Sequence, residues 1–280
     1  MTRVQPSLSP AELDRLAQLA RQLRREVVLM TTEAGSGHPS SSLSAVEILV
    51  TLYWGGILRY DPGRPDWPER DRFVLSKGHA APILYAVLAY AGYFPREELR
   101  GLRRLGSPLE GHPNMRRLPG VEASTGSLGQ GLSIGLGHAL AARLDGRNNH
   151  VYVLLGDGEI QEGQVWEAAM TAAHQRVGNL VAIVDHNRFQ QTGAVARVTD
   201  PLAFPAKWSA FGWKVEEVDG HDLLALHQVL RFATAFEDGP FVVIAHTIKG
   251  KGVRFMEQDF TWHGRAVPRD RVQQAMEELG

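Results

Sequence analysis

The sequence predicts an α/β fold: a doubly wound, mostly parallel sheet with helices on both faces. Two observations carry this. Residues 151–155, 180–184 and 241–245 are unbroken apolar runs, and the segments between them repeat apolar residues every three or four positions. Strands that read as continuous apolar runs are buried on both faces, and parallel strands need crossover connections, usually helical. A half-solvated antiparallel sheet would alternate polar and apolar residues instead.

Taken in order, Ser9-Pro10-Ala11-Glu12 reads as a capping box with proline at the first helical position. The helix it opens carries Leu13, Leu16, Ala20, Leu23 and Val27 on one face. It should stop at Ala34-Gly35-Ser36-Gly37-His38-Pro39, where two glycines and a proline oppose continuation. A second helix is expected over about 43–58, then a surface loop over 61–68. A short strand at 72–75 precedes a helix that follows His79. After an irregular stretch at 106–126, a glycine-laced helix covers 130–144. Strand 151–155, helix 164–174 and strand 180–184 follow, then a strand at 213–215, a helix near 223–236, strand 241–245 and a closing helix at 271–279. With no repeat, low-complexity tract or linker, one domain over 1–280 is expected.

Composition excludes several function classes. Lys+Arg 30 against Asp+Glu 31 gives a net charge of -1, so the basic footprint of a nucleic-acid binder is absent. There is no cysteine, hence no disulfide framework or thiolate metal site, which suits a reducing cytoplasm. The longest apolar stretch, 80–92, is shorter than the ~20 residues of a membrane helix. The N-terminus lacks the basic-then-apolar order of a signal peptide. A cytoplasmic protein without membrane or nucleic-acid partners is the expectation.

In doubly wound sheets, ligands bind beyond the C-terminal ends of the strands. Two apolar runs end there in polar residues: one in Gly156-Asp157-Gly158, the other in Asp185-His186-Asn187. The glycines would let backbone approach a diphosphate while the Asp157 carboxylate faces a cation and Asn187 offers a neutral oxygen. With a backbone carbonyl such as that of Phe189, this set suits magnesium, which takes its remaining oxygens from phosphate and water. Alone, the first motif would be a capped turn and Asn187 an Asx-turn. Paired at the ends of consecutive strands, they favour a metal-diphosphate site. No G-x-G-x-x-G follows a strand, and no P-loop is present.

Gly156-Asp157-Gly158, with 28 residues between it and Asn187, resembles the thiamine diphosphate motif. Further motifs look specifically like transketolase: Gly37-His38-Pro39-Ser40, Ser76-Lys77-Gly78-His79-Ala80, Gly111-His112-Pro113, Thr125-Gly126-Ser127-Leu128-Gly129-Gln130-Gly131, Glu159-Ile160-Gln161-Glu162-Gly163 and Trp262-His263-Gly264. They stand in family order over nearly the whole chain and correspond to the family's first third, the diphosphate-binding domain.

The resemblance implies ketol transfer between sugar phosphates, with thiamine diphosphate and Mg²⁺ as cofactors and Ca²⁺ as an alternative metal. It implies that His38 and His263 exchange protons with the sugar's C3 hydroxyl and the acceptor aldehyde oxygen, and that His112 holds the C1 hydroxyl. His79 and His263 should approach the diphosphate, Gly126 and Leu128 the aminopyrimidine. Glu162 would cross to a catalytic carboxylate on a partner. Leu128 as core and Glu162 as a dipole-favoured helix start remain open, as does Lys249-Gly250-Lys251-Gly252 as phosphate contact or solvated loop. The family's pyrimidine-binding and C-terminal domains have no counterpart here, so a C-terminal transketolase subunit in an α2β2 assembly is the expected partner. A 2-oxo acid dehydrogenase α-type subunit and a non-catalytic cofactor-binding subunit are the alternatives.

Overall fold

Helix α1 (Pro10–Ala34) opens on the predicted capping box: Ser9 Oγ accepts from the Glu12 amide and the Glu12 carboxylate accepts from the Ser9 amide at 2.8 Å. It ends where Gly35 takes a left-handed conformation, φ 63°, which only a residue without Cβ adopts readily. The computed structural model describes residues 8–199 and 204–280. The expected 43–58 helix is two pieces, α2 (Pro39–Leu43) and α3 (Val46–Trp54). The break falls at Ser44, whose hydroxyl bonds both the Ser41 carbonyl, at 3.1 Å, and the Asp185 carboxylate, at 2.6 Å.

Strand β1 (Arg72–Leu75) leads into α4 (Ala81–Ala91), then α5 (Gln130–Leu144) and β2 (Val151–Gly156). Helix α6 (Gly163–His174) connects β2 to β3 (Leu180–His186). A small antiparallel hairpin, β4 (Phe189–Gln190) with β5 (Gly193–Ala194), follows, then short helices α7 (Val195–Val198) and α8 (Phe204–Ala210). Strand β6 (Lys214–Asp219), helix α9 (Leu223–Ala235), strand β7 (Phe241–His246) and helix α10 (Val272–Leu279) complete the chain.

The main sheet has the order β1-β2-β3-β7-β6, with every neighbouring pair parallel. Alternate residues of each central strand enter opposite cores. Tyr152, Leu154, Val181 and Ile183 join α1, α3, α4 and α9 on one side. Val151, Val153, Ala182 and Val184 join α5, α6 and α8 on the other, where Trp208 and Trp213 pack 4.9 Å apart as core residues. Strand β6 runs past the predicted 213–215. It is the sheet edge, and Lys214, Glu216 and Glu217 interrupt the apolar run that marks the buried strands while discouraging edge pairing. Among the described residues no helix is long and apolar enough to cross a membrane.

Candidate active site

The C-terminal ends of β1, β2 and β3 converge on one cleft of about 290 Å³, as expected for a parallel sheet. Its lining includes Ser41, Lys77, His79, Asp157, Asn187 and His263. Strand β1 delivers Lys77 and His79, β2 delivers Asp157, and β3 delivers Asn187. Gly78 lets the 125–126 segment approach the end of β1 closely, since a Cβ there would stand 2.7 Å from Thr125 Oγ1 and 3.0 Å from the Gly126 amide nitrogen.

The floor is a buried network of opposite charges. Asp185 is fully buried and accepts from Lys77 Nζ, from Thr247 Oγ1 and, at 2.6 Å, from Ser44 Oγ. Lys77 also donates to the Ser41 carbonyl at 2.8 Å. Asp157, 2% exposed, accepts from the Gly158 amide at 2.8 Å and from the Arg188 amide. Burial, reinforced by nearby Asp185, pushes its carboxyl up to about 7. Lys249 is also fully buried, its Nζ 2.7 Å from Ser41 Oγ, and burial beside Lys77 pulls its ammonium down to about 7. Asn187 makes an Asx turn, its Oδ1 accepting from the Phe189 amide at 3.2 Å, which leaves that oxygen a second lone pair. Phe189 lines the same cleft.

Glu159 ties the rim together. Its buried carboxylate accepts from Ser76 Oγ at 2.5 Å, the Gly129 amide at 3.0 Å and the Gly156 amide at 2.9 Å. Three chain segments are thereby fixed around the cleft.

Three of the four predicted histidines form a triangle. Ring centroids are 5.2 Å apart for His38 and His79, 5.3 Å for His38 and His263, and 5.1 Å for His79 and His263. Burial, aided by the charges of Arg103, His112 and Lys249, pulls His38 down to about 4. Burial and Lys249 pull His263 to about 3, and His79 lies well below the usual value. At neutral pH the rings are uncharged, each with one N–H and one lone pair. His38 Nδ1 and His263 Nδ1 are buried and lack a hydrogen-bond partner among the described residues. His112 stands apart at the exposed rim, its ring beneath Gly126, where an added Cβ would lie 3.3 Å from His112 Cγ.

Gly156 and Gly158 flank Asp157 as predicted. Leu128, 38% exposed, is cleft wall and not core. Glu162 is exposed at the cleft lip, in the N-cap position of α6. Sequence patterns alone leave Lys249 undecided and give Lys77, Ser41 and Asp185 no role. Lys77 lies inside one of the family-like motifs, but Lys249 sits in a Lys-Gly-Lys-Gly run indistinguishable from a solvated loop. Other histidines are engaged elsewhere: His221 Nε2 accepts from the Ile248 amide, so its Nδ1 donates to Glu47 at 2.9 Å.

Residues 15–280 match a family described as "Transketolase, thiamine diphosphate binding domain". The chain is 41% identical over 268 residues to a 6-deoxy-6-sulfo-D-fructose transketolase subunit of Clostridium sp. (strain MSTE9), covering 96% of each. It is 42% identical over 269 residues to an apulose-4-phosphate transketolase subunit of Actinobacillus succinogenes, covering 95% of this chain and 96% of that protein. Among solved structures, transketolase from Campylobacter jejuni superposes with a TM-score of 0.89 at 32% identity, covering 98% of this chain but 43% of that one.

Proposed function

Since the chain belongs to the transketolase family and matches its thiamine diphosphate binding domain, we propose that it is one subunit of a two-chain transketolase, EC 2.2.1.1. In this reading residues 1–280 form one diphosphate-binding domain. With a partner carrying the family's pyrimidine-binding domain, in an α2β2 assembly, it moves a two-carbon ketol unit from a ketose phosphate to an aldose phosphate in the cytoplasm. The observation that carries the proposal is the triangle of neutral imidazoles standing over a floor of two aspartates and two lysines. The matching length of two relatives that are named as subunits supports the two-chain arrangement.

The residues present fit a metal diphosphate. Asp157 is a buried carboxylate held near another, an arrangement that a cation relieves. No cluster of three His, Cys, Asp or Glu side chains suited to a metal occurs among the described residues. In this reading a cation is held by Asp157, the Asn187 amide oxygen and the Phe189 carbonyl, with the remaining oxygens from phosphate; Mg²⁺ suits this, and Ca²⁺ is an alternative. Buried Lys249 and the His79 ring would, in this reading, donate to the diphosphate.

The bound cofactor supplies a nucleophilic carbon and an electron sink for C2–C3 cleavage. His38 and His263 accept and return protons at the C3 hydroxyl and the acceptor aldehyde oxygen, which their uncharged state permits. His112 holds the C1 hydroxyl, Gly126 and Leu128 flank the aminopyrimidine, and Glu162 reaches toward the partner's carboxylate.

The test is ketol transfer to ribose 5-phosphate with Mg²⁺ and thiamine diphosphate, for the chain by itself and with the partner chain added. Donors are xylulose 5-phosphate, 6-deoxy-6-sulfofructose and apulose 4-phosphate. Activity only on mixing is expected. Full activity of the chain by itself overturns the two-chain reading, and failure with every donor overturns ketol transfer.

A further inference from the structure

The His263 ring has no polar partner on Nδ1 among the described residues, so its direction depends on its packing against His38 and His79 and on the backbone that carries it. The peptide unit between Trp262 and His263 is fixed at both ends. Its N–H donates to the Phe260 carbonyl at 2.9 Å, and its C=O accepts from Ser40 Oγ at 2.9 Å. Ser40 is fully buried and lies two residues after His38, in α2. The same helix holds the His38 end, because Ser42 Oγ donates to the His38 carbonyl at 3.0 Å. One short helix therefore grips the backbone of both imidazole-bearing segments, although 225 positions separate them in the sequence.

Resting on the proposed function, we infer that Ser40 is a positioning residue that sets His263 against His38. Fully buried and outside the cleft lining, it fixes the peptide plane from which the His263 ring projects. Neighbouring Ser41 serves another purpose, with its hydroxyl on Lys249 and its carbonyl on Lys77. Loss of the Ser40 hydroxyl thus leaves the diphosphate floor its own bonds while freeing the Trp262 carbonyl, and misplacement of a proton-transfer group by a fraction of an ångström slows turnover.

Two readouts test this. In the full chain with ¹⁵N-labelled histidine, Ser40→Ala should shift or broaden the His263 ring signals, leave His221 unchanged, and be reversed by Ser40→Thr, which keeps a hydroxyl. In the two-chain complex, Ser40→Ala should lower kcat roughly tenfold with the thiamine diphosphate Kd within about twofold, and Ser40→Thr should restore most of it. Unaltered His263 signals, an unaltered kcat, an equal loss of cofactor affinity or failure of threonine to rescue would each overturn the assignment. If Ser40→Ala does not fold, Ser40→Cys, a weaker donor of similar size, replaces it with the same expectations. If the wild-type complex transfers no ketol unit, the functional reading fails, while the ring signals still decide whether Ser40 orients His263.

Discussion

Gly264 lies against the His38 imidazole: a Cβ at Gly264 would stand 3.3 Å from His38 Nε2 and 3.6 Å from Cδ2. The glycine after His263 is therefore a spatial requirement of the facing ring. Gly264→Ala should displace His38 by a few tenths of an ångström and lower ketol-transfer kcat about tenfold or more, with little effect on cofactor Kd. Steady-state kinetics and a cofactor titration on the same complex check this; unchanged kcat would mean that the His38 position is not critical.

The depressed histidines also predict how the chain responds to acid. An unfolded imidazole titrates near 6.5, whereas folded His38 and His263 protonate only near 4 and 3. Between about pH 6.5 and 4 the unfolded chain binds protons that the folded chain refuses, so stability falls as pH drops through that window. Above it these groups contribute no slope. Each ring contributes at most ~1.4 kcal/mol per pH unit. Replacing both with glutamine should flatten the decline of Tm between pH 6.5 and 4.5, and parallel Tm curves for variant and parent would refute the assignment.

What the sequence discloses follows from how each feature is encoded. Strands β2, β3 and β7 are legible because burial on both faces demands unbroken apolar runs. Edge strand β6 is only half legible, since Glu216 and Glu217 serve its exposed edge. The break between α2 and α3 is invisible because it comes with a hydrogen bond from Ser44 Oγ to Asp185, far away in the chain, and no local residue pattern marks it. For the site, Asp157 and the four motif histidines announce themselves by adjacent glycines, and Asn187 by its place at the end of an apolar run. Lys249 and Ser40 do not, because what sets them apart is burial against distant segments, which local residue patterns do not record.

Lys249 is a buried cation whose ammonium is pulled down to about 7, a sign that the fold alone gains little from its charge. If it is kept for an anionic ligand, Lys249→Met should leave the ligand-free Tm unchanged or raised. The same change should weaken thiamine diphosphate binding by tenfold or more, at least ~1.4 kcal/mol. Calorimetric titration and thermal melts on one preparation separate the two effects. A lower ligand-free Tm with full cofactor affinity would make Lys249 a structural residue.

Two glycines of α5 should respond in opposite directions to the same substitution. A Cβ at Gly135 would meet Val153 Cγ2 at 2.4 Å, so the helix lies against β2 through that bare backbone. At Gly137 nothing stands within 4 Å. Alanine is the better helix former by roughly 1 kcal/mol, so Gly137→Ala should stabilise the chain by up to about that amount. Gly135→Ala gains the same propensity but pushes helix from sheet, and overpacking of this kind costs about 1–3 kcal/mol. Chemical denaturation of the two variants checks the signs. Equal shifts for both would mean that α5 does not pack on β2 through Gly135, and the loops that α5 holds at the cleft, Gly129 among them, would then need another support.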